Sequence, residues 1–461
     1  MLFSSFSFLF WFLPALLLLY FLPPLFLRDA HRALSMQNAV LLPASLLFYA
    51  WGEARYLPLM LLVIAANTLL AARIPRSSKP RVLLTLAVIF DIGILLFYKY
   101  PPLLGFPAPH LPLGISFYTF QAISYVADVY RGATKPAKSP LTVALYVALF
   151  PQLIAGPILR YTEVEHALTA RRHSLHGAAA GARRFIAGLA KKLLLANPAG
   201  ALFAAQTARQ TLGAAGAWLA LFSFAFQLYF DFSGYSDMAI GLGRILGFRF
   251  PENFRYPYTA TSITDFWRRW HITLSTFFRE YVYFPLGGSR EGSAKTLRNL
   301  LVVWALTGLW HGASLNFLLW GLYYFLLLVI EKFLLRRFFH RVPRALCRTL
   351  TLACVCFGWL LFAFDGSTPT LMLSRLPAFL GSLFFANGAA QGAELYDLVR
   401  SLPLLALCAL GATPLPRRAL RRLTGRGRHP LLRTALPLLA LVFCMASLAD
   451  ASYNPFLYFR F

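Results

Sequence analysis

The chain has 461 residues, 58% of them hydrophobic and only 13% charged, with a mean hydropathy of +0.60. A soluble protein of that length needs far more charge to cover its surface, so composition excludes a soluble globular fold and points to an all-α polytopic membrane protein. The 44 Lys and Arg against 17 Asp and Glu, net +27, would suggest nucleic acid in a soluble chain; here the basic residues fall between apolar runs, the pattern of membrane topology and contact with anionic lipid, and no nucleic acid is expected.

A membrane-spanning helix takes roughly 20 apolar residues. The first run, 2–27, has no basic residue before it, is too long for a signal sequence and is followed by no small-residue cleavage site. It reads as an uncleaved span, and Arg28 and Arg32 behind it place the N-terminus outside by the positive-inside rule. Further runs follow at 34–51, 57–72, 82–99, 111–128, 141–156, 184–204, 215–233, 234–248, 297–312, 314–333, 346–364, 371–386, 401–415 and 432–449. The short ones, 111–128, 234–248 and 371–386, read as re-entrant or buried within protein. The expectation is about 11–13 crossings. No internal repeat is visible, which weighs against an inverted-repeat transporter. No long linker appears, so residues 1–461 read as a single transmembrane domain: N-terminal helices to 204, central motifs over 205–335, and C-terminal helices over 336–461.

The basic loops are Arg73 to Arg81, Arg171 to Lys192, Arg336 to Arg348 and Arg417 to Arg433. Topology and anionic lipid explain them; a polyanionic ligand such as a nucleotide or coenzyme A is the second reading for some. Cys347, Cys354, Cys356, Cys408 and Cys444 form no C-x-x-C pair and lie in or beside apolar runs, so they read as small buried hydrophobes.

Three central segments carry polar residues where lipid or a dry core would be expected. In "QLYFDFSGYSDMAIGLG" (227–243), Asp231 and Asp237 stand in apolar surroundings. Buried acids either face a partner across spans or line a polar cavity. In "PENFRYPYTATSITDFWRRWHITLSTFFREYVYFPLGGSR" (251–290), a period of 100° per residue puts Ile263, Phe266, Trp267, Trp270, Leu274, Phe277, Phe278 and Tyr281 on one stripe, with Ile272 as the exception. The reading is one amphipathic helix with Arg268 and Arg269 on its polar side and His271 at the border. His271 is either an interfacial group or one that touches both a pocket and a polar path. The third segment runs from Leu300 to Ile330. As one helix it would span about 46 Å against a core of about 30 Å, so a break is expected at "HGASLN" (311–316), where Gly312, Ser314 and Asn316 disfavour a continuous helix. Thr307, Gly308 and Ser314 leave room beside His311 for a substrate or another backbone, and Trp304, Trp310 and Trp320 can wall it. Histidine is a base near neutral pH, and an intramembrane ionisable group is a functional hypothesis by default. A core histidine bonded to a neighbouring helix is the alternative. His173, His176 and His429 read as solvated, and His340 as interfacial.

On these residues the chain resembles the membrane-bound O-acyltransferase (MBOAT) family. The match is close to the bacterial branch that acetylates alginate and peptidoglycan; the teichoic acid D-alanyl transferases are more distant. The segments that carry the resemblance are "LLFYAWGEARYL" (46–57), "LPLGISFYTFQAISYVADVYRG" (111–132), "LFPQLIAGPILRY" (149–161), residues 231–258, residues 262–290 with "DFWRRWH", "LTGLWHGASLNFLLWG" (306–321) and the tail "PFLYFRF" (455–461). The resemblance implies a ring of transmembrane helices around a central tunnel. His311 matches the essential histidine of the family and His271 its second motif histidine. It implies a bacterial inner-membrane enzyme that moves an acetyl group from cytoplasmic acetyl-CoA, or another acyl thioester, to a hydroxyl on the outer side. The acceptor would be a cell-envelope polysaccharide or an extracytoplasmic partner O-acetyltransferase. No metal and no permanently bound cofactor are implied.

In that scheme His311 acts as general base, or is itself acylated, and His271 holds the donor or orients the lining. Trp310, Asn316, Ser314, Trp267, Arg268, Arg269, Trp270, Asp231 and Asp237 are the expected lining residues. Asn316, an indole N–H or an arginine of the 268–269 pair would stabilise the oxyanion. The competing readings are a transporter or flippase of an acylated carrier, and a structural scaffold; either would tolerate loss of His311.

Overall fold

The structure is a computed structural model that describes residues 1–101, 106–107, 109–335, 341–364, 369–424 and 430–450. His340, His429 and the tail motif 455–461 lie outside the described residues. Every regular element among the described residues is helical. The chain is an all-α polytopic membrane protein.

Among the described residues, eight helices are long and apolar enough to cross a membrane, or nine if the bent pair Gly392–Gly411 and Leu415–Thr424, at 72°, counts as one span. The number falls below the 11–13 expected for identifiable reasons. The runs 215–233 and 234–248 form one continuous helix, Ala214–Ile245, because Gly234 interrupts the apolar pattern without breaking the backbone. The runs 34–51 and 57–72 form two helices, Ala30–Glu53 and Leu57–Arg73, joined by the 3-10 turn Ala54–Tyr56; the stretch Ala30–Arg76 is counted once, although at about 70 Å it is long enough for two crossings. The run 111–128 forms the 16-residue helix Ile115–Tyr130, buried from Ile115 to Val129. At about 24 Å it is too short to cross, in line with its reading as a protein-covered segment. The run 141–156 yields only Pro140–Ala148 and Phe150–Leu153.

The chain forms two compact units, Met1–Leu189 with Tyr235–Glu252, and Ala190–Gly234 with Asn253–Phe461. In the first, Phe3, Phe8, Phe48 and Phe150 stack into an aromatic core, with Phe3–Phe8 and Phe48–Phe150 centroids 5.0 and 5.3 Å apart. Buried Asn67 donates Nδ2–H to Asp91 Oδ1 at 2.9 Å, satisfying an acid that would otherwise be costly there. In the second, a buried ion pair joins Lys192 Nζ to Asp231 Oδ1 at 2.7 Å. The second unit also holds the two motif histidines. All five cysteines are free, and only Cys354 is less than fully buried.

Candidate functional site

His311 is the last residue of helix Ser293–His311. Gly312 and Ser314 have extended backbone, and a second helix starts at Leu315; the break falls where the sequence places it. The two helices close on one another through glycines. A Cβ on Gly308 would stand 2.5 Å from the Phe317 carbonyl oxygen, and one on Gly321 would collide with the Trp304 carbonyl. The small residue before His311 therefore admits another backbone rather than a ligand. The hairpin fixes the imidazole, which is 6% exposed. Rings enclose it: Trp310, Trp320 and Phe362 have centroids 4.7, 5.0 and 5.1 Å away, each nearly edge-on.

His271 is placed differently from expectation. Residues 263–281 are not one amphipathic helix. Ile263–Trp267 is a short helix, capped by the Ser262 side chain accepting from Asp265 N and by Glu331 Oε2 accepting from Ile263 N at 2.7 Å. The chain then turns, and a second short helix runs over Ile272–Phe278. His271 lies between them with φ +43°, in the left-handed region. A non-glycine residue there costs of order 1–3 kcal/mol and persists only where its surroundings impose it. Asn253 does so. Its carbonyl accepts from Ile272 N at 3.0 Å, and its Oδ1 accepts from Thr273 N and Oγ1 at 3.3 and 3.0 Å. The break also explains why Ile272 falls off the stripe: the helical phase restarts at that residue.

Asn253 Oδ1 stands 3.1 Å from His271 Nδ1. Because the Thr273 amide N–H already points at it, that Asn253 atom is an acceptor, and Nδ1 is the protonated nitrogen of His271. Burial, at 2% exposure, disfavours the charged ring and holds its pKa down to about 3. His271 is thus a neutral imidazole with its Nε2 lone pair on the side away from Asn253.

Both histidines line one cavity of about 190 Å³. Trp267, Trp270, Trp304, Trp320, Trp359 and Phe362 are among the aromatic residues of the wall, and Arg279 and Tyr283 lie at its more exposed rim. The indole N–H groups of Trp267 and Trp320 are buried and have no hydrogen-bond acceptor among the described residues. The arrangement can hold a small apolar group beside an imidazole, with indole donors available to a carbonyl oxygen.

Of the expected lining residues, Trp267 and Trp270 are on this wall. Trp310 is not, but its ring lies beside both histidines, 6.1 Å from His271 and 4.7 Å from His311. Buried Asn316 directs Nδ2–H at the Phe362 carbonyl at 3.5 Å, and half-buried Ser314 begins the second helix of the hairpin. Arg268 is exposed, and Arg269 pairs with Asp265 at 2.8 Å. Asp231 holds Lys192, while Asp237 belongs to the other unit, where Arg184 Nη2 meets it at 2.7 Å. Asn253, Trp359 and Phe362 have no counterpart in the sequence reading. The two aromatics carry a weak signal, bulky rings in an apolar run; Asn253 looks like any loop asparagine.

Multi-pass helices and a largely apolar, histidine-bearing cavity fit a membrane transferase of small groups. The sequence model of MBOAT, the membrane-bound O-acyltransferase family, matches residues 133–374. A probable alginate O-acetylase of Pseudomonas putida is 37% identical across the whole of both chains. The corresponding protein of Pseudomonas aeruginosa is 41% identical over 78% of this chain and 72% of its own length. A peptidoglycan O-acetyltransferase of Helicobacter pylori is 35% identical over 78% of this chain and 77% of its own. The chain belongs to the membrane-bound O-acyltransferase family and is an O-acyltransferase.

Proposed function

We propose that the chain O-acetylates a cell-envelope polysaccharide of the alginate or peptidoglycan kind, in the bacterial inner membrane. It does so directly or through an extracytoplasmic partner transferase, with cytoplasmic acetyl-CoA as donor. The observation that carries the reading is the meeting of His311 and His271 on one small, aromatic-walled cavity. At about 190 Å³ the cavity exceeds the space one water needs many times over, so an acetyl thioester head fits in it. The apolar wall also keeps out the water that would hydrolyse the donor.

In the transfer step His311 removes the proton of the acceptor hydroxyl as its oxygen attacks the thioester carbonyl. The C–O bond forms, the C–S bond breaks, and the departing sulfur takes the proton back as free thiol. Negative charge gathers on the carbonyl oxygen, and fixed donors lower that barrier. Asn316 and Arg269 are engaged elsewhere, which favours the indole N–H groups of Trp267 and Trp320. His271, neutral and held by Asn253, orients the donor.

The test is purified chain in neutral-lipid nanodiscs with labelled acetyl-CoA and a hydroxyl acceptor, read as labelled ester and as released thiol. Loss of a general base should lower transfer by about 10²–10⁴-fold in His311→Ala. Transfer by His311→Ala at the wild-type rate would sink the proposal.

A further inference from the structure

The first unit holds a second cavity, about 590 Å³ in volume, which shares no residue with the histidine cavity. Its wall is basic. Arg172, Arg244 and Arg249 line it, and none makes an ion pair among the described residues. Its one carboxylate, Glu252, is already taken: Arg184 forks between Glu252 and Asp237. Arg184 with its two carboxylates carries one net negative charge, so the three further guanidinium groups leave the cleft with an excess of about two positive charges.

The cleft is built on a buried scaffold. Tyr20 is fully buried, and its hydroxyl donates to the Leu246 carbonyl at 2.8 Å. Arg171 Nε donates to the same hydroxyl at 2.8 Å, and His173 Nε2 lies 2.9 Å from it. This ties the segment that carries Arg172 to the loop that carries Arg249. Gly247, at φ +85°, lets the loop lie against the segment: a Cβ there would stand 3.0 Å from His173 Nε2. Beneath the loop, Arg171 is 8% exposed, with its guanidinium 4.7 Å from the centre of the Phe248 ring. It has no carboxylate beside it, and its Nη2 has no acceptor among the described residues. A buried cation without a counter-charge is costly, and like charges around a cleft repel. An anion in the cleft relieves both. Topology alone asks only for basic residues in a loop; it does not ask for them to be held around a cavity over a buried arginine.

We propose that this cleft binds a phosphate-bearing anion with more than one phosphate group. Guanidinium forks match phosphate oxygens bidentately, and three of them around a cavity of this size suit a diphosphate better than a single phosphate. A soluble nucleotide-type ligand and a phospholipid headgroup share that chemistry.

The experiment uses the full chain in neutral-lipid nanodiscs at low salt, where exposed charges are least screened, and titrates inorganic pyrophosphate by calorimetry. Wild type should bind. Arg244→Ala/Arg249→Ala, both exposed positions, should weaken binding by about tenfold or more with an unchanged melting temperature. Arg417→Ala/Arg418→Ala, an exposed basic pair of another helix, should leave it unchanged. A second arm repeats the titration in discs containing an anionic phospholipid. Displacement of pyrophosphate identifies a lipid headgroup as the occupant, and undiminished binding identifies a soluble phosphate ligand. No binding by wild type in neutral discs overturns the proposal. So does equal weakening in the two double variants, or wild-type affinity in Arg244→Ala/Arg249→Ala.

Discussion

At the scale of single residues, the account separates two histidines by what holds them. His311 is enclosed by rings at a helix end, whereas His271 is gripped by a polar side chain in a strained turn. That difference makes Asn253 a positioning residue. In Asn253→Ala, His271 Nδ1 loses its acceptor and the Thr273 amide loses its partner, while the bond from Ile272 N to the main-chain carbonyl of residue 253 remains to hold the left-handed backbone. A buried donor left unsatisfied costs about 1–3 kcal/mol, so thermal unfolding of the variant should occur at lower temperature. Transfer activity should fall as well, and Asn253→Asp should rescue it in part, because a carboxylate oxygen still accepts from both neighbours. Stability lost with full activity retained would make Asn253 a purely structural residue. Trp267 and Trp320 are tested in the same way. Replacing either with Phe keeps the ring but removes the N–H, and should lower kcat by about 10–10³-fold with little change in KM if it serves the oxyanion.

At the scale of elements, the glycine-packed hairpin sets the position of His311. Gly308→Val would drive a branched side chain against the Phe317 carbonyl, 2.5 Å from the ideal Cβ. The hairpin would have to open, and a displacement of about 1 Å at a reacting group costs about 10²-fold in rate. The expected result is a folded, helical protein with little activity; wild-type activity would show that hairpin closure does not position the imidazole. The Lys192–Asp231 pair serves packing. Lys192→Met should be strongly destabilising, by about 3–5 kcal/mol, because it strands a buried carboxylate, whereas Lys192→Met/Asp231→Leu should recover much of the loss. A melting series on the three proteins checks this. The two helix breaks also show what a sequence can carry. The break at Gly312–Ser314 was legible because a helix through it would overrun the bilayer and because Gly, Ser and Asn sit at the point of failure. The break at His271 was not. Apolar residues on either side keep helical spacing, no Gly or Pro marks the turn, and the force that makes it comes from Asn253, 18 residues upstream. Ile272, out of phase with the stripe, was its only trace.

At the scale of the whole molecule, composition alone fixed the all-helical membrane class, while the number of crossings was legible only in part. Hydropathy cannot tell an interrupted run from a continuous helix, so Ala214–Ile245 reads as two spans and is one. The aspartates of that helix stand among apolar residues, where an acid is costly, but ion pairing, buried for Asp231 and partly exposed for Asp237, answers the cost as well as a ligand would. Cavity size makes a prediction about the substrate. Trp310, Trp320 and Phe362 crowd His311 at 4.7–5.1 Å between ring centroids, so acetyl-CoA should be used well, and octanoyl-CoA should show kcat/KM lower by about tenfold or more; equal use of both would show that the acyl group lies elsewhere. The central claim is that the acyl group is handed over beside His311. Its most direct test is electron cryo-microscopy of the chain bound to a non-hydrolysable thioether analogue of acetyl-CoA. The account predicts the acetyl group inside the cavity, its carbonyl oxygen within hydrogen-bond reach of an indole N–H and its carbonyl carbon next to His311. An analogue well ordered at another place, with that cavity vacant, would contradict it.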